Sequence, residues 1–398
     1  MLDLGKLAQK IPNMGQQMQK EARLSVERLK LAESLLVDTE KNLDTFIKTQ
    51  QEWLDRLIFT PATPIEAITT SIDVESAVSN HSVFCTDGSQ IAPSHHEIAY
   101  CYLINIGRIM LHYGQNLHPL LDTLPEIYYK QEDLYASRKW GIRTEEWMSY
   151  KRTVAEAEVL AEMACTWVNP PGAHFNIPNL AMTDGSLIYW FLETLPLEAR
   201  EQILHPILRA WEQLQHTNIP LIGYISASRS MEAINFLRFS ACPYPNPNCV
   251  VFCGDVEDKT PCQKFEPLRD VTLWNGILKP RQRSAIFRSN SNILDSYWDK
   301  QRIYFCYLHV GTEIARIEFP EWVAQNPRLL NQALSITLTQ VDKGFGYPVA
   351  LAEAHNLAVV KGSDRSRFFA LLEEQMIKLG LRNVGTSYKE ARKRGSIA

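Results

Sequence analysis

The chain has 398 residues, 45% of them hydrophobic and 22% charged, with 41 Lys plus Arg against 45 Asp plus Glu. That length and apolar content suffice for a substantial core and exclude disorder or a disulfide-stapled miniprotein, while a net charge of -4 excludes a uniformly basic nucleic-acid coat. No apolar run reaches membrane-span length, the polar, Gln-rich stretch Ile11 to Glu21 does not read as a signal peptide, and eight cysteines point to reduced thiols or metal ligands, so a cytoplasmic protein is expected.

From Gln16 to Thr60 neither Gly nor Pro interrupts the chain, and Leu24, Leu29, Leu31, Leu35, Leu36, Leu43, Phe46, Ile47 and Leu54 recur mostly at three- and four-residue steps. This period predicts an amphipathic helical arm over residues 1–60, ended by Pro61-Ala62-Thr63-Pro64. Such an arm either covers its own domain or packs on a second copy. Ser82 to Thr86 then reads as a short strand closing on Asp87-Gly88-Ser89, and Ile98 to Tyr113 as a further β segment. Glu145 to Trp167 has a helical period and stops at Pro170-Pro171-Gly172. Leu180 to Thr183 is a second short strand, closing on Asp184-Gly185-Ser186. Ile219 to Ser226 is strand-like and leads into a helix through Phe239; Val250-Val251-Phe252 also reads as strand. Arg302 to Val310 and Ile314 to Phe319 form an expected strand pair turning at Gly311. Helices are expected over Leu329 to Asp342, Tyr347 to Val360 and Ser363 to Leu379. Strands and helices mixed in this order indicate an α/β domain around a mixed sheet.

The tetrapeptide Thr-Asp-Gly-Ser occurs at 86–89 and again at 183–186, each time after an apolar run of strand length. A single Asp-Gly after a strand is ordinarily a turn. Two copies at the ends of two buried strands suit a pair of carboxylates converging on Mg²⁺ or Mn²⁺, and two such ions clamp the attacking and leaving oxygens of a phosphodiester. Glu156, Glu158 and Glu162, on the helix before the second copy, are candidates for a third carboxylate. Glu158 and Glu162 share a face, whereas Glu156 points the other way. Near the C-terminus, Gly344-Phe345-Gly346-Tyr347-Pro348 opens a helix carrying His355, which is a core histidine or, with carboxylates beside it, a ligand or proton donor. Neither a Gly-x-Ser-x-Gly elbow nor a Walker loop is present.

These residues resemble the NurA nucleases of DNA double-strand break repair. The resemblance rests on the two Asp-Gly-Ser strands, the helical Glu before the second, the Gly-Tyr-Pro … Ala-His helix, Arg283-Ser284-Ala285-Ile286-Phe287 and Ala315-Arg316-Ile317-Glu318-Phe319-Pro320. It implies an RNase H-like α/β domain, a mixed sheet with flanking helices beside the N-terminal helical arm. It also implies a manganese-dependent nuclease that degrades DNA from 5′ ends and cuts single strands. The implied assembly is a homodimer fed by a HerA-type hexameric ATPase. Carried over by position, Asp87, Asp184, Glu156 and His355 form the metal and catalytic set, with Glu158 as the rival to Glu156. Many relatives carry a lysine after the serine of Ile222-Gly223-Tyr224-Ile225-Ser226, where this chain has Ala227. The expected organisation is the arm at 1–60, a nuclease domain at 75–380 holding a Cys-rich, basic insertion at 240–300, and a basic tail at 381–398.

Two further clusters stand apart from that set. Cys242, Cys249, Cys253 and Cys262 fall in one Pro- and Asn-containing stretch and suit structural Zn²⁺, or an iron–sulfur cluster, or no ion at all. Lys279, Arg281, Arg283 and Arg288, among Trp274, Phe287 and Tyr297, suit a groove for the DNA backbone with stacked bases; Lys389, Arg392, Lys393 and Arg394 suit non-specific phosphate contact. The rival to the nuclease is a non-catalytic DNA-binding adaptor that docks the ATPase.

Overall fold

The computed structural model describes residues 3–8, 10–77, 79–94, 97, 99–169, 174, 176–254, 256 and 259–380. The basic tail and the break at Pro170–Gly172 lie outside the described residues. In chain order the strands are β1 (Thr63–Pro64), β2 (Ser71–Asp73), β3 (His81–Ile91), β4 (Tyr102–Tyr113), β5 (Leu120–Tyr128), β6 (Asn179–Asp184), β7 (Leu221–Ile225), β8 (Gln282–Ser284), β9 (Phe287–Arg288), β10 (Ile303–His309) and β11 (Ile314–Pro320). The chain divides into two compact units. One comprises Met1–Glu75, Tyr224–Asp295 and Arg302–Ala324; the other comprises Ser76–Gly223, Ser296–Gln301 and Gln325–Ala398.

The second unit carries a mixed sheet in the order β6-β3-β4-β5, β6 being followed in the strand order by β7, whose Leu221–Gly223 belong to this unit. β3 pairs antiparallel with β4 and β4 with β5, whereas β6 runs parallel to β3. This is the RNase H-like arrangement that the family resemblance implies, where the residues alone gave a mixed α/β sheet. Its strands are apolar where both faces are covered: Val83, Phe84, Cys85, Leu180, Ala181 and Met182 are fully buried. The helix Thr144–Val168 covers one side through Met148, Val154, Ala157, Leu160, Ala161 and Ala164. The sequence reading passed over two elements of this unit. β5 contains Pro125 and is half-exposed, as an edge strand tolerates, so it lacks a clean alternating signal. The helix Leu197–His216 contains Pro206, which argues against a helix interior, yet its face Ile203-Leu204-Ile207-Leu208-Trp211-Leu214 is buried.

On β4, His112 lies against Trp167, 4.1 Å between ring centroids, and Trp167 stacks in turn on His174 at 4.0 Å. Burial, reinforced by His174, lowers the His112 pKa from 6.5 to about 4. The fold therefore favours the neutral ring. The stability this carries is intact above pH 6.5 and is lost as pH falls through about 4. Urea unfolding across that window is expected to show about 1–3 kcal/mol of acid sensitivity, after discounting for solvent screening, that His112→Phe removes.

Five antiparallel pairs among the described residues hold the first unit together. β1 pairs with β9, β9 with β10, β10 with β11, and β8 with both β10 and β2. The β10–β11 hairpin turns at Gly311, whose φ of 97° suits glycine. The long helical segment bends once at Asn42, giving helices Ile11–Lys41 and Leu43–Trp53. From Leu29 onward it covers its own unit: Ala32 and Leu36 are buried with Phe236, Phe265, Trp274 and Phe305, and Leu35, Phe46 and Ile47 pack beside them. Toward its N-terminus Ile11, Met14 and Met18 are exposed. Val250–Phe252 is not a strand but part of a short helix, Cys249–Phe252, because the Asn248 side chain accepts the Val251 N–H and starts a turn there.

Candidate active site

The two Asp-Gly-Ser copies behave differently. At the first, the strand does not stop: β3 runs on through Asp87, Gly88 and Ser89, opposite Gly107, Ile106 and Asn105 of β4. Gly88 leaves room there, since a Cβ would meet the Glu156 carboxylate and Arg152 Cγ and displace both side chains. The Glu156 helix lies so close because Thr86 Oγ1 donates to the Glu156 carbonyl at 2.9 Å. At the second copy β6 does end, on Asp184, and Gly185 turns the chain with φ of 96°. Register then does the rest. Since Thr86 is opposite Thr183 on a parallel neighbour, Asp87, within β3, and Asp184, at the end of β6, stand side by side.

The His355 helix, Val349–Ala358, is brought to the same place by its C-terminal carbonyls. Ser89 Oγ donates to the Ala358 carbonyl, and Asn105 Nδ2 donates to it at 2.8 Å. Gly107 permits the approach, since a Cβ on it would come within 2.6 Å of the Ala354 carbonyl and 2.7 Å of the Ala358 nitrogen. Gly107→Ala must therefore push the helix off β4, against backbone atoms that cannot swing aside. A loss of about 1–3 kcal/mol in urea unfolding is expected, with the His355 position lost as well.

The four residues assemble as a mutually charged cluster. His355 Nδ1 is 2.8 Å from Asp87 Oδ2, and the Gly88 N–H donates to Asp87 Oδ1 at 2.8 Å. Glu156 Oε1 is 3.2 Å from Arg152 Nε, and Tyr347 hydrogen-bonds to Asp184. Burial pushes the Glu156 carboxyl up to about 7; Asp87 and Asp184 add to this, against the pull of Arg152 and the Gly88 N–H. Asp184 is raised chiefly by burial and then by Asp87, opposed by Tyr347 and His355. Glu158 is exposed on the far face of the helix, as is Glu162, so Glu156 is the glutamate that faces the aspartates. Tyr347 is the member that the sequence reading missed. It stands eight residues before His355, in the Gly-Tyr-Pro entry that had only a helix-starting meaning.

Three carboxylates and an imidazole are hard donors, and their mutual repulsion is what a divalent cation relieves. Among the described residues no three His, Cys, Asp or Glu side chains already stand as a ligating group. Each carboxylate here is engaged by its own partner: Asp87 by His355, Glu156 by Arg152, Asp184 by Tyr347. The donor chemistry fits a hard ion, held by carboxylate lone pairs that these partners leave open.

The expected DNA groove is not assembled as the sequence suggested. Arg283 is buried and paired to both oxygens of Glu66, at 2.7 and 3.0 Å, so it is not available to phosphate. Trp274, Phe287 and Tyr297 are buried as well; Trp274 stacks on Tyr307 inside its unit, so none offers a face to an unpaired base. Lys279 is exposed, and Arg281 and Arg288 are half-buried. At the position where the resemblance implies a lysine, the Ala227 N–H donates to Glu313 at 3.0 Å. Among the described residues no helix is long and apolar enough to cross a membrane.

No curated protein matches the chain. Among solved structures it is similar to the NurA nuclease from Sulfolobus solfataricus, at 11% identity and a TM-score of 0.53, over 95% of this chain and 98% of that one. A second structure, described as NurA, matches at 9% identity and a TM-score of 0.34, over 81% and 92%. The NurA domain model matches residues 81–360, which span both Asp-Gly-Ser copies, Glu156 and His355. On that match over most of its length, the chain belongs to the NurA family.

Proposed function

We propose that the chain is a metal-dependent deoxyribonuclease that hydrolyses phosphodiesters at the Asp87–Glu156–Asp184–His355 cluster. One observation carries the reading: four residues from four distant segments converge as acids and imidazole where β6 ends beside β3 in an RNase H-like sheet. Membership of the NurA family and the likeness to a structure described as a nuclease support it.

Asp87, Glu156 and Asp184 would hold Mn²⁺ or Mg²⁺, which supplies Lewis acidity at the phosphodiester. The chain's own groups do the remaining work. With Asp87 ionised, its hydrogen bond keeps the His355 proton on Nδ1 and leaves Nε2 to accept or return one at the scissile group. His355 is 65% exposed, so its ring reaches a substrate lying across the strand ends. Arg152 holds Glu156 in place and presents a guanidinium where phosphate charge arrives. Tyr347 fixes Asp184.

The finer reading is a 5′–3′ exonuclease and single-strand endonuclease of DNA end resection in double-strand break repair. We place it in the cytoplasm as a homodimer working with a HerA-type ATPase. Substrates labelled at either end, incubated with Mn²⁺, Mg²⁺ or EDTA, test it. Shortening from the 5′ end in Mn²⁺ is expected, together with cuts within single strands. Loss of label from the 3′ end alone would overturn the polarity. Metal-independent binding with no cleavage, even beside the ATPase, would favour the adaptor.

A further inference from the structure

The four clustered cysteines lie in the first unit and take no part in the chemistry proposed above. They come from three segments that meet. Cys242 follows the short helix Arg238–Ala241, Cys249 and Cys253 sit one turn apart at the two ends of the next short helix, and Cys262 follows Thr260-Pro261. All four line one cavity of about 10 Å³, closed over by Tyr244 and Phe252, which stack at 4.5 Å. Cys249, Cys253 and Cys262 are buried. The Cys249 thiol donates to the Cys253 sulfur.

As a set of small apolar side chains this arrangement is poorly explained, because donors of a kind suited to anions are aimed at the sulfurs. Arg238 is only 3% exposed and donates to Cys262 Sγ from both Nε and Nη2, each at 3.3 Å. The Ile58 N–H donates to Cys249. A neutral thiol is a weak acceptor, and two N–H groups of a buried guanidinium aimed at one sulfur suit the negative charge that a metal-bound sulfur would carry. Glu266 is 3.7 Å from the same guanidinium, too loosely placed to neutralise it alone. Burial first of all raises the Cys249 and Cys253 thiols, so these sulfurs would ionise only with a cation among them.

We propose that Cys242, Cys249, Cys253 and Cys262 bind one Zn²⁺ as a structural Cys₄ site, with Arg238 offsetting the excess thiolate charge from outside. The cavity favours zinc over an iron–sulfur cluster, since at about 10 Å³ it is the size of one small occupant. Among the described residues no three His, Cys, Asp or Glu side chains stand in ligating geometry, so the proposal rests on the four cysteines lining one cavity and on the donors aimed at them. A site saturated by four sulfurs leaves no open position, so its role is to pin the loop 242–262 rather than to cleave. The proposal stands apart from the nuclease reading, since none of these residues belongs to that cluster.

The test is metal analysis of the full chain, produced with zinc or with cobalt. Expected are stoichiometric zinc, a thiolate-to-cobalt charge-transfer band in the cobalt form, and loss of both in Cys249→Ser and Cys262→Ser. Cys165→Ala, a half-buried cysteine outside the cluster, should keep them. If the cluster variants fail to fold, titrating folded wild type with an organomercurial decides the matter, because zinc should leave as the cluster thiols react. Wild type with no zinc and freely reactive thiols would overturn the proposal. So would iron with labile sulfide, or a disulfide within the cluster.

Discussion

Asp87→Ala should abolish DNA cleavage while leaving the fold intact. Asp87 is the hub of the cluster: it holds His355 at 2.8 Å, faces Glu156 and Asp184 electrostatically, and projects from a strand fixed on both sides by β4 and β6. Removing it takes away a proposed metal ligand and frees the His355 ring at once. Losing about 4 kcal/mol of transition-state stabilisation corresponds to a fall of roughly a thousandfold, and several kcal/mol is the scale of one Lewis-acid contact. Thermal stability should hold or rise, since the variant removes one of three like charges that repel one another in a half-buried space. A stable Asp87→Ala protein that still cuts at wild-type rate would show that the chemistry lies elsewhere. The conservative variant Asp87→Asn separates the two roles, because an amide still hydrogen-bonds to His355 but is a poor ligand.

Arg316→Met should be the most damaging single change to stability. Arg316 is 1% exposed in the first unit and serves two acids, Glu318 at 2.8 Å and Glu232 at 3.0 Å, while Ser230 accepts at 2.8 Å. Its guanidinium also lies 3.6 Å over the Phe305 ring. Glu318 is fully buried, so removing Arg316 takes the guanidinium away from a buried carboxylate. Breaking a buried pair from one side costs about 3–5 kcal/mol, which is a large share of a domain's stability. The urea midpoint at neutral pH should fall accordingly, and adding Glu318→Leu should recover part of the loss. A midpoint unchanged by Arg316→Met would mean that these ions are solvated and the network contributes little.

How much of this was legible beforehand follows from which forces are local. Asp87 and Asp184 could be read because a short apolar run and a repeated tetrapeptide are sequence-level patterns, and parallel register then makes neighbours of them. The reason for Gly88 could not be read. It is a strand residue, not a turn residue, and its missing side chain answers to a helix nearly seventy positions away. Glu156 and Glu158 were inseparable by composition; only the face turned toward β3 distinguishes them. Tyr347 was seen as part of a helix start because its partner, Asp184, is remote in sequence. The same remoteness misled the reading of the basic stretch. Arg283 looks like a phosphate ligand until Glu66 is found opposite it, and Trp274 looks like a stacking platform until the helix carrying Ala32 and Leu36 covers that core.

The nuclease reading predicts that one substrate set separates wild type from two variants. End-labelled DNA, single- and double-stranded, would be incubated with purified wild type, Asp87→Ala and Asp184→Ala, each with Mn²⁺, Mg²⁺ and EDTA. The account predicts cleavage by wild type that needs the divalent ion and disappears in both variants while their unfolding midpoints stay at or above wild type. Cleavage that survives in folded Asp87→Ala and Asp184→Ala would contradict it.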